Sequence, residues 1–466
     1  MSADADKMVA SEESADSPRP RVVILGGGFG GLNAALALRK ADLEVVLVDK
    51  ENYHLFQPLL YQVATAGLSP GDIAAPIRAV LRKQQNARVL LAEARSVDRQ
   101  RRVVELDTGQ LAYDYLIVAT GTQTKFFGPE EWAEESTGLK TIQDALSLRR
   151  QILYAFERAE QTEEPDEIAE WLTFVIIGGG PTGVEMAGAI REIAAEVMVR
   201  DFRTIRPEEA RVVLIDAQPR ILTSYPEELS EKAKEELEKR GVELWLDSPV
   251  DEITGRSVRA GEYEAPTRTV VWAAGVEPGS LIGTLETELT EAGQVLVEEA
   301  LTLPGDERVF AIGDIAHFEH YGEEPLPGLA PVAIQQGKAA AKNIRRRLDG
   351  EEFEAFHYWD RGQMSTIGRK AAVGVVGDWK FEGFFAWLVW LFIHLLFLVG
   401  FRNKVSVLIE WAYSYIAYKR SARLIVEYPE SREVDQPADE QRLLEDRPAE
   451  EPPVGQPEVE RAESRS

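Results

Sequence analysis

The segment Arg21-Val-Val-Ile-Leu25, followed by Gly26-Gly-Gly-Phe-Gly-Gly31, decides the fold, because a short apolar strand runs directly into a glycine-rich turn. A helical pattern follows, and a second apolar strand ends at Asp49. In a nucleotide-binding β-α-β unit, the first glycine makes a tight turn, the second lets backbone N–H groups approach a pyrophosphate, and the third allows close helix–strand packing. The terminal carboxylate accepts hydrogen bonds from a ribose. The residues that this pattern assigns to a dinucleotide are Gly26, Gly28, Gly30, Gly31 and Asp49.

The same pattern recurs later in the chain. The apolar strand 173–177 leads into Gly178-Gly-Gly-Pro-Thr-Gly183, and a later strand ends at Asp216. A carboxylate at this position favours a free ribose 2′-hydroxyl over a 2′-phosphate, so the second unit is expected to prefer NADH to NADPH, a preference that the nearby Arg220 weakens. Two nucleotide sites in one chain indicate two different nucleotides that exchange electrons. The residues assigned to the second nucleotide are Gly178, Gly180, Gly183 and Asp216.

Three further apolar strands support this arrangement. Residues 115–121 and 269–275 each form a strand that ends in a small-residue turn, which suits a chain that crosses between two nucleotide-binding domains. Residues 309–314 form another such strand, and its terminal carboxylate, Asp314, is suited to hold a hydroxyl group of a ribityl chain.

Composition excludes several classes of protein. The chain of 466 residues suffices for two or three domains, and its 44% of hydrophobic residues exclude wholesale disorder. Cysteine is absent, which excludes thiolate-ligated zinc and iron–sulfur centres, thiol nucleophiles and flavoenzymes that use a redox disulfide. No metal site is predicted. The formal charge of -27 argues against a nucleic-acid partner, because such a surface repels phosphate groups.

The two termini and one late segment depart from the average composition. Residues 1–20 and 427–466 are acidic and poor in large apolar groups, so both are expected to be disordered, and the N-terminus lacks the apolar stretch of a signal peptide. Residues 361–423 are locally basic and rich in aromatic side chains. They contain the apolar run 384–401, whose only polar side chain is His394. Such a segment favours a membrane contact.

Three interpretations of the run 384–401 are open, namely an anchor in one leaflet, a helix that spans the bilayer, and a core helix or dimer interface. Its eighteen residues are at the lower limit for spanning a bilayer. Basic residues lie on both sides of the run, which favours cytoplasmic positions for both ends and hence the anchor in one leaflet.

At this point the residues resemble a known group of enzymes. The paired glycine motifs, the turn Ala119-Thr-Gly121 and the sequence Ala311-Ile-Gly-Asp314 look like those of two-dinucleotide-binding flavoproteins. More specific segments are His54-Leu-Phe-Gln-Pro-Leu-Leu-Tyr-Gln-Val-Ala64, the extension of the second glycine motif to Glu185, Ala330-Pro-Val-Ala-Ile-Gln-Gln-Gly337 and the aromatic anchor. Together these segments resemble type II NADH:quinone oxidoreductases, the single-subunit NADH dehydrogenases that do not pump protons.

The resemblance implies non-covalent FAD in the first unit, NADH in the second, and a membrane quinone, either menaquinone or ubiquinone, as the electron acceptor. For FAD it adds Thr120, Gly121 and Asp314 to the first glycine set. For NADH it adds Gly275 and Glu185, the latter near the nicotinamide and the flavin. The implied quinone residues, in which proline replaces a usual glutamine at 331, are Ala330, Pro331, Gln335, Gln336 and Lys370.

The implied mechanism passes a hydride from NADH to FAD and then two electrons to the quinone, without proton pumping. Glu185 and Gln335 are the candidate catalytic residues. Glu185 positions the nicotinamide and is a candidate proton relay, although a purely hydrogen-bonding role stays open. Gln335 can donate and accept hydrogen bonds at the quinone. His394 is expected to be hydrogen-bonded within the anchor, with a quinone contact as the alternative.

Other functions of the same fold fit less well. A sulfide:quinone reductase needs cysteines, which the chain lacks. A soluble NAD(P)H-dependent flavoprotein reductase of a small redox protein has no use for the aromatic segment 379–418. A flavin-binding interaction protein that senses NADH, similar to apoptosis-inducing factor, is distinguished by slow turnover with every quinone.

The expected fold class is α/β, with two Rossmann-like dinucleotide-binding domains in the arrangement of glutathione reductase and a C-terminal helical segment that anchors to a membrane. The protein is expected at the cytoplasmic face of the cell membrane, against the lipid bilayer surface, and the large aromatic surface leaves a homodimer open. The expected boundaries are 21–140 and 297–355 for a split FAD-binding domain, 141–296 for the NADH-binding domain, and 356–426 for the membrane-associating region.

Overall fold

The structure, a computed structural model, describes residues 19–320, 324–417 and 422–425. The arms predicted to be disordered at the two ends therefore lie outside the described residues, apart from Arg19 and Pro20. All the described residues belong to one compact unit that ends at Ile425.

A six-stranded sheet forms the first nucleotide-binding unit. Neighbouring strands are parallel except for the first pair, which is antiparallel. The chain leaves this sheet after residue 118 and returns to it at residue 302, as a split domain requires. The central strands are apolar between their end residues because both faces of the sheet are covered. In sheet order the strands are Thr302–Leu303, Asp306–Ala311, Tyr115–Val118, Arg21–Leu25, Glu44–Asp49 and Ala87–Leu91.

A four-stranded, fully parallel sheet forms the second unit. Its order is Val242–Trp245, Arg211–Ile215, Thr173–Ile177 and Thr269–Trp272. The two predicted crossing turns lead into a short antiparallel ladder between Thr122–Thr124 and Val276–Pro278, which joins the two units. The strands predicted from the two glycine motifs and the two crossing turns are thus confirmed.

The remaining strands form small antiparallel sheets and one parallel pair. The three-stranded sheets are Ala94–Asp98, Val103–Leu106 with Gly109–Ala112; Glu252–Ile253, Ser257–Ala260 with Tyr263–Pro266; and Gln363–Gly368, Ala371–Val376 with Trp379–Glu382. The antiparallel pairs are Tyr53–Leu55 with Ala74–Pro76 and Glu319–His320 with Glu324–Pro325, and the parallel pair is Val295–Leu296 with Ala316–His317.

Twelve α-helices within the described residues cover the sheets and form the C-terminal region. They are α1 (Phe29–Ala37), α2 (Leu60–Ala64), α3 (Pro70–Ile73), α4 (Ile77–Leu81), α5 (Glu131–Glu135), α6 (Ile142–Gln161), α7 (Pro165–Trp171), α8 (Pro181–Glu192), α9 (Glu227–Lys239), α10 (Ala330–Leu348), α11 (Gly383–Phe397) and α12 (Phe401–Ala417). Helix α8 continues as a π-helical turn over Ile193–Val197.

The predicted apolar run 384–401 is not one continuous helix. Helix α11 ends at Phe397, and α12 begins at Phe401 after a turn in which Gly400 has a φ of 92°. Across the part of the chain that the structure describes, no helix combines the length and the apolar character needed to cross a membrane. The predicted hydrogen bond of His394 within the anchor is confirmed, because its Nδ1 donates to the carbonyl of Trp390 at 2.7 Å.

Helices α11 and α12 each have one buried face and one exposed apolar face. Trp387 and Trp390 of α11 and Val407 and Trp411 of α12 point into the protein. The outward faces carry large apolar side chains in contact with solvent, and we call them the apolar helix surface. Its residues are Phe384, Phe385, Leu388, Phe392, Leu396, Phe397, Phe401, Val405, Leu408 and Ile409.

Candidate active site

A cavity of about 680 Å³ is lined by residues from both nucleotide-binding units. The first unit contributes its glycine turn, and the second contributes the start of α8 and the turn after residue 272. A cavity of this size is within the range that proteins use for cofactors. The predicted site residues that line it are Gly26, Gly28, Gly30, Asp49, Thr120, Gly121, Glu185, Gly275, Asp314 and Ala330.

The glycines of the first turn have two distinct steric functions. Gly26 has a φ of 101°, which favours glycine, and a methyl group on Gly31 would overlap the carbonyl oxygen of Gly26. These two glycines therefore allow the strand and α1 to pack closely. A methyl group on Gly28, by contrast, would meet no protein atom within 4 Å. At Gly28 the backbone is thus open to a ligand, as a pyrophosphate at the start of a helix requires.

Asp49 supports the glycine turn directly. Its Oδ2 accepts a hydrogen bond from the backbone N–H of Gly27 at 2.5 Å, and its Oδ1 accepts one from Glu51 at 2.7 Å. Burial raises the pKa of Asp49, and these two bonds lower it. Gly27 was not among the predicted site residues, although the middle glycine of three in each motif was a visible signal.

The second glycine turn repeats this geometry. Gly178 has a φ of 109°, a methyl group on Gly183 would overlap the carbonyl oxygen of Gly178, and one on Gly180 would meet nothing within 4 Å. Asp216 accepts a hydrogen bond from the backbone N–H of Gly179, the counterpart of Gly27. These predicted NADH residues lie together at the start of α8, outside the lining of the large cavity.

The side chain of Arg220 is hydrogen-bonded to the loop that follows it. Its guanidinium donates to the carbonyl oxygens of Thr223 at 2.8 Å and Tyr225 at 2.9 Å. The arginine that was expected to weaken the preference for NADH is therefore engaged by its own loop.

Lys140 lines the large cavity, although it was not among the predicted site residues. Its ammonium Nζ donates to the hydroxyl of Thr122 at 3.0 Å, and that hydroxyl donates to Oδ2 of Asp314 at 3.3 Å. Burial lowers the pKa of Lys140, while the charge of Asp314 raises it. All three side chains line the cavity. A single lysine in an unremarkable loop gave no signal in the sequence.

Glu185 projects from α8 at the boundary of the large cavity. Its Oε1 lies 3.4 Å from the backbone nitrogen of Thr366 in the C-terminal sheet, a long hydrogen bond. Burial raises the pKa of Glu185 to about 8, which the Thr366 N–H only partly offsets. The carboxyl group is therefore mainly protonated at neutral pH. Burial and the charge of Glu185 raise the pKa of Tyr225 as well.

Most of the predicted quinone residues do not reach the cavity. Gln335 donates to the carbonyl of Trp359 at 3.0 Å and accepts from its N–H at 3.1 Å, so its amide is engaged outside the lining. Gln336 is buried and accepts a hydrogen bond from Gly313 at 2.7 Å. Lys370 is exposed in the turn of a β-hairpin. Among the five, Ala330 lines the cavity, whereas Pro331 lies next to it in α10 without lining it. Their contact with quinone stays a prediction.

The residues present fit FAD. The open backbone at Gly28 suits a pyrophosphate, the carboxylate of Asp314 can accept hydrogen bonds from a ribityl chain, and the cavity continues to the second unit at Glu185. Among the described residues there is no group of three or more His, Asp or Glu side chains that could hold a metal ion.

The sequence matches a family of redox enzymes over most of its length. Residues 20–337 match the pattern of the pyridine nucleotide-disulphide oxidoreductases. The fold and the two glycine turns thus define a flavoprotein oxidoreductase with two dinucleotide sites. The predicted α/β class with two dinucleotide-binding domains is confirmed, whereas the membrane-anchoring role of the C-terminal segment stays a prediction.

Curated relatives define the family more narrowly. The chain is 44% identical over 434 residues to type II NADH:quinone oxidoreductase NdhA of Mycobacterium tuberculosis, covering 89% of this chain and 91% of the relative. It is 42% identical to Ndh of the same organism, covering 89% and 92%. With the enzyme of Staphylococcus aureus the identity is 32%, covering 78% and 92%. The chain belongs to the type II NADH:quinone oxidoreductases, which confirms the resemblance and makes it an enzyme.

Solved structures share the fold. NDH2 from Plasmodium falciparum in complex with NADH superimposes with a TM-score of 0.80 at 18% identity, covering 88% of this chain and 100% of that chain. The sulfide:quinone oxidoreductase of Aquifex aeolicus gives a TM-score of 0.66 at 18% identity, covering 85% and 95%. At these identities the likeness concerns the fold alone.

Proposed function

We propose that this enzyme oxidises NADH and passes the electrons through FAD to a membrane quinone, without pumping protons. The observation that carries the proposal is the cavity that both nucleotide-binding units line, because it brings the glycine turn of the first unit into one space with Glu185 and Gly275 of the second. When bound in this cavity, FAD would supply the two-electron redox chemistry that links NADH to the quinone. The protein supplies binding, orientation and a controlled proton supply.

Each unit holds its nucleotide through the same device. The backbone is open at Gly28, which would hold the FAD pyrophosphate, and at Gly180, which would hold that of NADH. Asp314 and Lys140 lie at the FAD cavity, and Asp216 at the second loop selects NADH, because a 2′-phosphate beside this carboxylate is repelled. Glu185 holds a proton at its carboxyl oxygen next to the reacting groups. Gln335 stays a proposed quinone contact. This role requires that its two hydrogen bonds to the backbone of Trp359 rearrange.

The enzyme is proposed to bind the cytoplasmic face of the cell membrane through the apolar helix surface. These ten large apolar side chains are all exposed on two successive helices, which a soluble protein seldom leaves in water. Arg402 and Lys404 beside them supply positive charge for anionic lipid headgroups. The proposed domain boundaries are those expected from the sequence. The apolar helix surface could also be shared between two copies in a homodimer, and sedimentation without detergent would reveal the mass of such a dimer.

The test is NADH oxidation by the flavin-loaded protein with and without a short-chain quinone. Quinone-dependent turnover that is faster with NADH than with NADPH supports the proposal. Rapid loss of the yellow flavin colour on adding NADH, without turnover on any quinone, contradicts it and points to a protein acceptor or to an NADH sensor.

A further inference from the structure

A second, smaller cavity lies against the large one. Its volume is about 50 Å³, and Tyr61 and Glu185 line both cavities. Its walls come from α2, α8, the hairpin of the C-terminal sheet, and the tryptophans of α11 and α12. We call it the inner chamber. It therefore adjoins the redox site on one side and the membrane-facing helices on the other.

The wall of the inner chamber combines apolar side chains with several polar groups. Gln62 donates to the hydroxyl of Tyr61 at 2.9 Å and accepts from the indole N–H of Trp411 at 2.8 Å. The indole N–H of Trp390 is buried and has no hydrogen-bond acceptor among the described residues. Since about 10–15 Å³ of such volume holds one water molecule, the chamber has room for a few water molecules but not for a quinone ring.

Helix α8 connects the chamber to an ion-pair cluster. Glu185, Ala189 and Glu192 are spaced by four and three residues, so they lie on one face of the helix, and all three line the chamber. Glu192 and Glu196 each lie 3.9 Å from the guanidinium of Arg369. Glu192 is 10% exposed and Glu196 40% exposed. The π-helical turn that begins after Glu192 carries Glu196 and so continues the acidic row to the solvent.

The proposed reaction needs a proton from solvent. NADH supplies two electrons and one proton as a hydride, whereas reduction of a quinone to a quinol takes two electrons and two protons. One further proton must therefore enter in each turnover. It is needed in the step that reduces the quinone, not in the hydride transfer from NADH.

We propose that the inner chamber is a hydrated proton route that carries this proton from the cluster of Glu192, Arg369 and Glu196 to Glu185. This inference rests on the proposed function and deepens it. Water in the chamber bridges the carboxyl groups of Glu192 and Glu185, and Glu185 passes its proton to the quinone side and is reprotonated from the chamber. The raised pKa of Glu185 supports this, because a group that is protonated at neutral pH can donate.

Two variants test the route without touching either nucleotide. Ala189→Val adds two methyl groups inside the chamber and displaces water, and Glu192→Gln removes the outer carboxyl while keeping its shape. Each is expected to slow the reoxidation of the NADH-reduced enzyme by a short-chain quinone about tenfold in anaerobic stopped-flow measurements. The rate of flavin reduction by NADH stays unchanged, and the solvent isotope effect in D2O on the quinone step increases.

Matched controls are Ala195→Val, which adds the same methyl groups in the next turn outside the chamber, and Glu228→Gln, which removes an exposed carboxyl that pairs with Lys380. Both are expected to behave like the wild type. Should Ala189→Val not fold, Glu192→Gln decides alone. A quinone step as fast as that of the controls, or equal slowing of both half-reactions, overturns the route. Failure of the wild type to reduce any quinone instead overturns the proposed function.

Discussion

The α carbon of Gly31 sits against the carbonyl oxygen of Gly26, so that a methyl group added to Gly31 would overlap that oxygen. Gly28 lies in the same turn, two residues after Gly26, and has open space where an added methyl group would lie. The two glycines are therefore required for different reasons, one for protein packing and the other for a ligand.

This contrast predicts opposite effects of the same substitution. Gly31→Ala is expected to lower the free energy of unfolding by about 1–3 kcal/mol through overpacking. Gly28→Ala is expected to leave the stability of the flavin-free protein within about 0.5 kcal/mol of wild type but to weaken FAD binding. Denaturant unfolding and flavin content measure the two effects. Full flavin content in Gly28→Ala would remove the ligand role of this backbone position.

Asp216→Asn is expected to relax the choice of nucleotide. The amide oxygen can still accept the Gly179 N–H, while the hydrogen bond from the Gln218 N–H and the negative charge that repels a 2′-phosphate are lost. The ratio of kcat/KM for NADPH to that for NADH should rise at least tenfold, because a like-charge contact costs several kcal/mol and about 1.4 kcal/mol already changes the ratio tenfold. Asp251→Asn is the control, because Asp251 also accepts a glycine N–H, that of Gly261. An unchanged ratio would assign Asp216 a purely structural role.

Glu185→Gln tests the protonated carboxyl. With a pKa of about 8, Glu185 carries its proton below that pH and loses it above. Quinone reduction by the wild type should therefore fall as the pH rises through about 8. The variant should not show this fall in rate with rising pH. Its quinone reduction at neutral pH should be slower by about a hundredfold, which is the lower end of the effect of general acid–base catalysis. Wild-type turnover and an unaltered pH profile in the variant would eliminate Glu185 as a proton relay.

Lys140→Met is expected to alter the bound flavin rather than the fold. Reduction adds negative charge to the flavin, and the Lys140 ammonium in the cavity stabilises that charge. Its loss should shift the two-electron midpoint potential by about 30 mV to more negative values, which corresponds to about 1.4 kcal/mol. Lys125→Met is the control, because Lys125 pairs with Glu277 and does not line the cavity. Equal midpoint potentials in the wild type, Lys140→Met and Lys125→Met would show that the charge of Lys140 does not act on the flavin.

The double variant Phe392→Asp/Leu396→Asp is expected to impair membrane binding. Each side chain contributes about 1.5–3 kcal/mol when it leaves water, so co-sedimentation with vesicles that contain anionic lipid should fall at least tenfold. Leu348→Asp, at an exposed leucine of α10 outside the apolar helix surface, is the control. Binding equal to that of the control would transfer the membrane contact to another surface.

Much of the fold could be read from local sequence patterns. The strands 21–25, 173–177 and 211–215 are apolar because they are buried on both faces, and the glycine spacing marks the turns that follow. The crossing segments were recognisable for a similar reason, since each strand ends in small residues. The division of the apolar run at Gly400 was not predicted, although glycine with a positive φ ends many helices.

The candidate site was only partly predictable, because several of its members are defined by distant contacts. The role of Lys140 depends on its proximity to Asp314, which lies far away in sequence. Gln335 was expected at the quinone but bonds to Trp359, a partner that no spacing rule identifies. The inner chamber likewise depends on the packing of α8 against Arg369 and the C-terminal helices.

The hydrogen bonds from Gly27 to Asp49 and from Gly179 to Asp216 have a consequence for how nucleotides arrive. Each bond fixes its loop from within the protein, independently of any nucleotide. Binding therefore requires little loss of loop entropy, and more of the interaction energy appears as affinity. For NADH, which must enter and leave in every cycle, such a rigid receptor allows rapid exchange without refolding of the loop.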